Sequence, residues 1–234
     1  EVAIKSTFLL LEKFRNKDVK FVFSSSSEVY AGSIKNDSSL IPTSESVPCT
    51  IDDVGNERFS YGGSKLACEI MINSFAKQFG LDYQIIRYHN IYGPRMGTKH
   101  VVPQFIKRAR KLSKEFDIYG SEQTRAFCYI DDAVRATYDL SLTKSQGIFH
   151  IGNDEEEIKI FELAKLINLW YNKDINFNLH SAPEGCVERR CPNLSKLKNT
   201  IDYKPKVNLK TGIEKTVKWY DSWFSENILN KELL

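Results

Sequence analysis

The chain has 234 residues, 41% of them hydrophobic and 27% charged, which is enough apolar surface to close a core and too much for a disordered segment. Lys and Arg total 33 against 30 Asp and Glu, and a net charge of +3 spread along the chain does not mark a nucleic-acid-binding surface. No apolar run reaches bilayer-crossing length, residues 1–14 carry charges through their apolar stretch unlike a signal peptide, and the five Cys form no C-x-x-C pair. These features predict a protein of the reducing cytoplasm, without membrane segment, nucleic-acid partner, disulfide framework or metal.

Residues 2–16 place Ile4, Phe8, Leu11 and Phe14 at helical spacing and read as an amphipathic helix. Residues 19–23 (VKFVF) are β-rich and run into four serines at 24–27, as at the carboxyl end of a buried strand. Residues 31–60, rich in Ser, Pro, Asp and Gly, read as a long surface loop of the kind that carries function. A helix follows over 61–79, stopped by Gly80, then a strand over 83–88 and a turn at Gly93-Pro94. The pattern continues with a helix at 102–112, strands at 116–119 and 126–130, and a helix to 142 capped by Asp131 or Asp132. A strand at 147–151 and helices at 160–171, 194–201 and 209–224 complete it. Strands alternating with helices predict an α/β fold with a parallel sheet, and the less regular later part predicts a second, smaller lobe.

Tyr61 and Lys65 lie four apart at the start of a helix and so project from one face. An ammonium a few ångströms from a phenol favours the phenolate, and such a pair serves as acid or base toward an alcohol or ketone. About thirty residues earlier the serine-rich strand end lies where doubly wound sheets place ligands, so a hydroxyl there can meet the same oxygen.

With these residues the chain resembles the extended short-chain dehydrogenases, the NAD-dependent sugar-nucleotide epimerases, dehydratases and decarboxylases. The resemblance runs through SSSSEVY (24–30), SYGGSKLACE (60–69), RYHNIYGPRMG (87–97), VVPQFIKRA (101–109), YGSEQTRAFCYIDDAV (119–134), FHIGNDEE (149–156) and residues 189–220. It implies an incomplete Rossmann-type doubly wound parallel sheet with a smaller mixed α/β substrate lobe. Residues 1–95 would be the later part of the dinucleotide-binding domain. Residues 96–234 would be mainly substrate-binding, crossing back to the sheet near 125–152.

The resemblance also implies roles. Tyr61 is the base at the sugar C4 hydroxyl, Lys65 binds the nicotinamide ribose, and Ser26 hydrogen-bonds the reacting oxygen. Ser24 and His89 lie beside the NAD cofactor. Asn90 contacts the diphosphate of a nucleotide-diphosphate sugar, Arg125 its nucleotide or diphosphate, and Arg190 is a second substrate arginine; paired guanidinium donors suit a diphosphate. Glu28 stands where related dehydratases carry Glu after an Asp; here Ser27 replaces that Asp, which disfavours dehydration. Ser27-Glu28 with Arg190 resembles the UDP-glucuronate decarboxylases, whereas SYGGSKLACE resembles the 4-epimerases, and Glu28 can equally be structural. An epimerase acting through a transient 4-keto sugar, a UDP-glucuronate decarboxylase and a non-catalytic sugar-nucleotide or partner-binding module all stay open. Helices 2–16 and 61–79 would form a homodimer contact.

No strand followed by G-x-G-x-x-G occurs in the chain, and the family pattern implies roughly 80–110 further residues of βαβ structure ahead of it. The expectation is a fragment of such an enzyme that neither binds NAD tightly nor turns over alone.

Overall fold

A computed structural model describes residues 2–111 and 114–226 of the chain. Helix α1 (Val2–Phe14) leads into strand β1 (Lys20–Ser26), whose last serine opens a 3-10 turn (Ser27–Tyr30) and the short helix α2 (Ala31–Asn36). A 21-residue helix α3 (Phe59–Phe79) ends at Gly80, which adopts the left-handed conformation open to a residue without Cβ. Strands β2 (Asp82–Tyr88) and β3 (Ile91–Tyr92), helix α4 (Val101–Arg110), and strands β4 (Glu115–Tyr119), β5 (Thr124–Ala126) and β6 (Cys128–Tyr129) follow. Then come α5 (Ile130–Ser141), β7 (Gly147–Ile151), β8 (Glu157–Lys159), α6 (Ile160–Tyr171), β9 (Asn176–His180), β10 (Arg189–Arg190), α7 (Ser195–Ile201) and α8 (Leu209–Glu226).

Strands β1, β2 and β7 form a parallel sheet in that order, with Ser25 opposite Arg87 and Arg87 opposite His150. Successive side chains on a strand face opposite ways. On β2, Ile85 packs with Leu11 of α1 and Ile72 of α3, while Ile86 packs with Ala136 and Leu140 of α5 and Leu197 of α7. Both faces are therefore covered by helices, as the sequence predicts for a doubly wound sheet. A separate core joins α4, α6 and α8 to the parallel pair β4–β9 through Phe105, Phe116, Ile167 and Tyr220. Two smaller ladders, β3–β6 and β10–β5–β8, stitch this part to the first.

Three sequence readings change. Residues 31–60 are not all open loop: they begin with α2, and Ile34, Ile41 and Phe59 pack with Val29, Tyr30, Ala126, Val187 and Cys191 into a core hidden in the sequence among turn-forming neighbours. The strand expected at 126–130 breaks at Phe127 into β5 and β6, and Ile130 already begins α5. Neither Asp131 nor Asp132 caps α5, because Tyr129 holds the cap position. Asp132 is buried and accepts the backbone N–H groups of Lys206 and Val207, tying α5 to the segment before α8. Helix α4 ends at Arg110, and position 112 of the expected helix lies outside the described residues. Among the described residues no helix is long and apolar enough to cross a membrane.

Candidate active site

The carboxyl end of β1 and the first turns of α3 meet at one wall. Lys65 reaches from α3 to donate to the Ser24 carbonyl at 2.8 Å, with its Nζ 4.9 Å from the Phe23 ring centre and 5.7 Å from that of Tyr61. Tyr61 is 53% exposed and faces out of the helix. The Ser26 Oγ accepts the Glu28 backbone N–H at 3.2 Å, so the turn orients the hydroxyl and leaves its proton to donate elsewhere.

Two cavities flank this wall. One of about 630 Å³ is lined by Ser24, Ser26, Tyr61 and Lys65 opposite the apolar Val22, Ile130, Ala133 and Val134. The other, about 660 Å³, is lined by Ser26, Glu28, Arg58, Tyr61, Asn90 and Arg190. Ser26 and Tyr61 border both. A third space of about 530 Å³ shares Glu28, Arg58, Asn90 and Arg190 with the second and adds Lys99, Arg108 and Arg125.

Charge is organised around Glu28. Arg190 donates from Nη1 and Nη2 to its two carboxylate oxygens, the second at 3.0 Å, and Arg58 stands 3.9 Å away. Burial pushes the Glu28 carboxyl up, but the Arg190 hydrogen bond and the charges of Arg190, Arg58 and Arg125 overcome it and hold it below its ordinary value. Among the described residues Arg125 donates to neutral acceptors, the carbonyls of Thr124, Val187 and Glu188 and the Gln123 side chain. Burial and the nearby Arg190 charge bring it down to about 10. On β10, Arg189 faces the other way and grips Glu157 of β8.

Asn90 follows β2 in the left-handed region at φ 46°, a conformation Asn tolerates, and donates to the Ala126 carbonyl at 3.3 Å. The structure thus brings together Ser24, Ser26, Glu28, Tyr61, Lys65, Asn90, Arg125 and Arg190. It does not bring His89: that ring is 2% exposed, lines none of the three cavities and lies 4.5 Å from the His150 ring at a tilt of 59°, with no hydrogen-bond partner for either nitrogen among the described residues. Strand alternation is the reason, since Tyr88 turns to the cavities and His89 to the interior. Sequence reasoning missed Arg58 and His100 as cavity residues; Arg58 precedes Tyr61 by three, a spacing that already puts it on the same helical face.

The donor set suits one end of a dinucleotide. An ammonium, a phenol and a serine around a pocket with an apolar wall match a ribose carrying a flat ring, and the chain has no G-x-G-x-x-G turn to cradle the diphosphate at the other end.

The chain is similar to known sugar-nucleotide epimerases and decarboxylases. The chain is 33% identical over 220 residues to the UDP-N-acetyl-alpha-D-glucosaminuronate decarboxylase of Bacillus cytotoxicus, covering 86% of this chain and 63% of that protein. It is 28% identical to GDP-mannose 3,5-epimerase 1 of Oryza sativa subsp. indica over 91% of this chain and 56% of that one. A solved UDP-N-acetylglucosamine 4-epimerase from Methanobrevibacter ruminantium superposes with a TM-score of 0.83 at 27% identity, covering 94% of this chain and 69% of that one. The chain therefore spans little more than half the length of the curated relatives it matches. Residues 1–152 match the family model, and the chain belongs to the NAD dependent epimerase/dehydratase family.

Proposed function

We propose that the chain is the catalytic and substrate-binding part of an NAD-dependent sugar-nucleotide epimerase that works in the cytoplasm through a transient 4-keto sugar. The observation that carries this is the shared wall: the Ser26 and Tyr61 side chains border both the Lys65 cavity and the arginine-lined cavity. In this reading residues 1–95 supply the later part of the dinucleotide-binding domain and residues 96–234 mainly the substrate lobe.

Lys65, Tyr61 and Ser24 hold the nicotinamide ribose, and NAD when bound supplies the hydride acceptor and donor. Arg190, Arg125 and Asn90 bind the substrate diphosphate in the arginine cavities, which leaves the sugar against Ser26 and Tyr61. Ser26 donates to the reacting oxygen, and Tyr61 takes the C4 hydroxyl proton while the Lys65 ammonium stabilises the charge that develops on the phenol. Epimerisation returns that proton from Tyr61 after the ketone has turned its other face. A purely binding module leaves this arrangement of hydroxyls and ammonium without use.

The Glu28–Arg190 ion pair favours a second reading, decarboxylation of a nucleotide-linked uronate, in which the 4-ketone lets a C5 carboxylate leave as CO₂. Helices α1 and α3 also offer a face for a second copy of the chain, with Leu9 57% and Leu10 44% exposed beside Phe8, whose ring meets Phe75.

The test is to supply the complete gene product with NAD and UDP-sugars, following the C4 epimer by NMR and released CO₂ by trapping. Tyr61→Phe is expected to lower turnover by on the order of 10²- to 10⁴-fold. The appearance of CO₂ with a pentose nucleotide selects the second reading, and undiminished turnover by Tyr61→Phe sinks both.

A further inference from the structure

Beneath the Tyr61–Lys65 pair a row of polar side chains crosses the sheet. Ser25 on β1, Arg87 on β2 and His150 on β7 are consecutive register partners. Glu69 lies on α3 one turn beyond Lys65 and two beyond Tyr61, on the same helical stripe. It is buried, as is Arg87. Its Oε1 accepts the Ser25 hydroxyl at 2.5 Å and the Arg87 Nε at 3.0 Å, while Oε2 accepts the Arg87 Nη2 at 2.5 Å. One carboxylate of the helix thus grips two neighbouring strands at a single row of the ladder.

The row continues past Arg87. Its Nη1 donates to the Tyr30 hydroxyl, its guanidinium lies 4.7 Å from the centre of the Tyr30 ring, and the Tyr30 oxygen is 2.8 Å from His150 Nε2. Burial, with the Arg87 charge, pushes His150 down to about 3, so the ring is neutral and the Tyr30 hydroxyl and Nε2 share one hydrogen bond whose direction the imidazole tautomer sets. Every link has a donor and an acceptor, and every link runs between different elements: α3, β1, β2, the 3-10 turn and β7.

The position of this row matters because of what stands on either side of it. Ser24, whose carbonyl receives Lys65, precedes Ser25, and Ser26, which borders both cavities with Tyr61, follows it. A helix resting on apolar contacts alone, such as Ile72 against Ile85, can slide or rotate by a fraction of a turn at little cost. A buried bidentate ion pair cannot, since its geometry is fixed by both partners.

We propose that Glu69 and Arg87 are positioning residues: their ion pair, with Ser25, sets the height and rotation of α3 over the end of β1 and so the separation of the Tyr61 and Ser26 hydroxyls. This rests on the reading of those two hydroxyls as the catalytic pair. Neither Glu69 nor Arg87 lines any of the three site cavities, so their effect on turnover passes through Tyr61 and Ser26.

Two variants of the complete gene product test it, with Tyr61→Phe alongside. Glu69→Asp keeps the charge and shortens the reach by one methylene. The double variant Glu69→Met, Arg87→Met removes both charges at similar volume, a replacement buried ion pairs commonly tolerate. Positioning predicts that kcat falls on the order of 100-fold in both, because a misplacement near 1 Å costs about that much. KM for the sugar nucleotide stays within about twofold, because Arg125 and Arg190, which hold the diphosphate in this reading, lie on β5 and β10. The pH–rate profile shifts as well, since the Tyr61 environment changes. A folded double variant with wild-type kcat and pH profile overturns the proposal. If that variant does not fold, Glu69→Asp decides in the same way. Should Tyr61→Phe retain full turnover, the underlying catalytic reading fails; should it lose turnover while both brace variants keep theirs, only the brace fails.

Discussion

Arg190 and Glu28, 162 positions apart in the chain, meet through two hydrogen bonds that join each terminal guanidinium nitrogen to its own carboxylate oxygen. Arg190 is 6% exposed, so its buried cation relies on that carboxylate for counter-charge. Glu28→Gln is expected to cost about 2 kcal/mol at neutral pH, by leaving a buried cation short of its counter-charge. The Glu28 carboxyl is held below its ordinary 4.5 by Arg190 against the opposing pull of burial. A depressed carboxyl contributes stability that is complete above 4.5 and is lost as pH falls through its folded value. Thermal melts of both proteins from neutral pH downward should show the gap closing below 4.5, and a gap independent of pH would count against this account.

His89 and His150 carry the opposite kind of group, a base kept neutral. Burial, with the neighbouring His150, drives His89 well below 6.5, and burial with the Arg87 charge takes His150 to about 3. The unfolded chain binds protons on both below 6.5 while the folded one refuses them, so stability falls as pH drops from 6.5 toward 3. His89→Phe should remove about 1.4 kcal/mol per pH unit from that slope. Urea titrations at several pH values between those limits measure it, and an unchanged slope refutes the assignment.

Adjacent glycines in α3 offer a controlled comparison. A Cβ on Gly62 would lie 2.7 Å from the Glu28 carbonyl oxygen, whereas the nearest atom to one on Gly63 is the Ile51 Cδ1 at 3.9 Å. Gly62→Ala should therefore destabilise by about 1–3 kcal/mol as the helix is levered off the turn. Gly63→Ala should stabilise by about 0.5–1 kcal/mol through helix propensity. Denaturant melts of the two single variants decide, and equal effects would show that the close approach is unimportant.

On α1, replacing Leu9 and Leu10 with Glu should abolish self-association while leaving the melting temperature within a few degrees, because both side chains are largely in solvent. Sedimentation velocity across a concentration series reads this directly. A wild-type chain that stays monomeric throughout removes the interface.

Local periodicity made part of this molecule readable. Tyr61 and Lys65 stand out because the helical repeat needs only five residues to declare itself, and β1 and β2 stand out as short apolar runs bounded by turn residues. Glu28 and Arg190 were each recognisable, but their pairing depends on β10 lying beside β5, a register no local pattern encodes. Strands β3, β6 and β10 have two residues each and β5 and β8 three, too short for any alternation to show. Arg87 and Glu69 belong to a strand and a helix that were both legible. Their contact was not, because a charged residue in a buried strand does not name the helix that neutralises it.

The tandem arginines of β10 protect the alignment of the chain at this point. If the segment slipped by one residue, Arg189 would take the inward place and could grip Glu28 as well as Arg190 does, so the inner pair alone cannot detect the error. The outer pair can: the same slip sets Glu188 against Glu157, exchanging an attraction between strands for a repulsion. A slip the other way puts Cys191 inside and leaves Glu28 without its guanidinium. The exposed ion pair on the rim thus acts as a proofreader for the buried one.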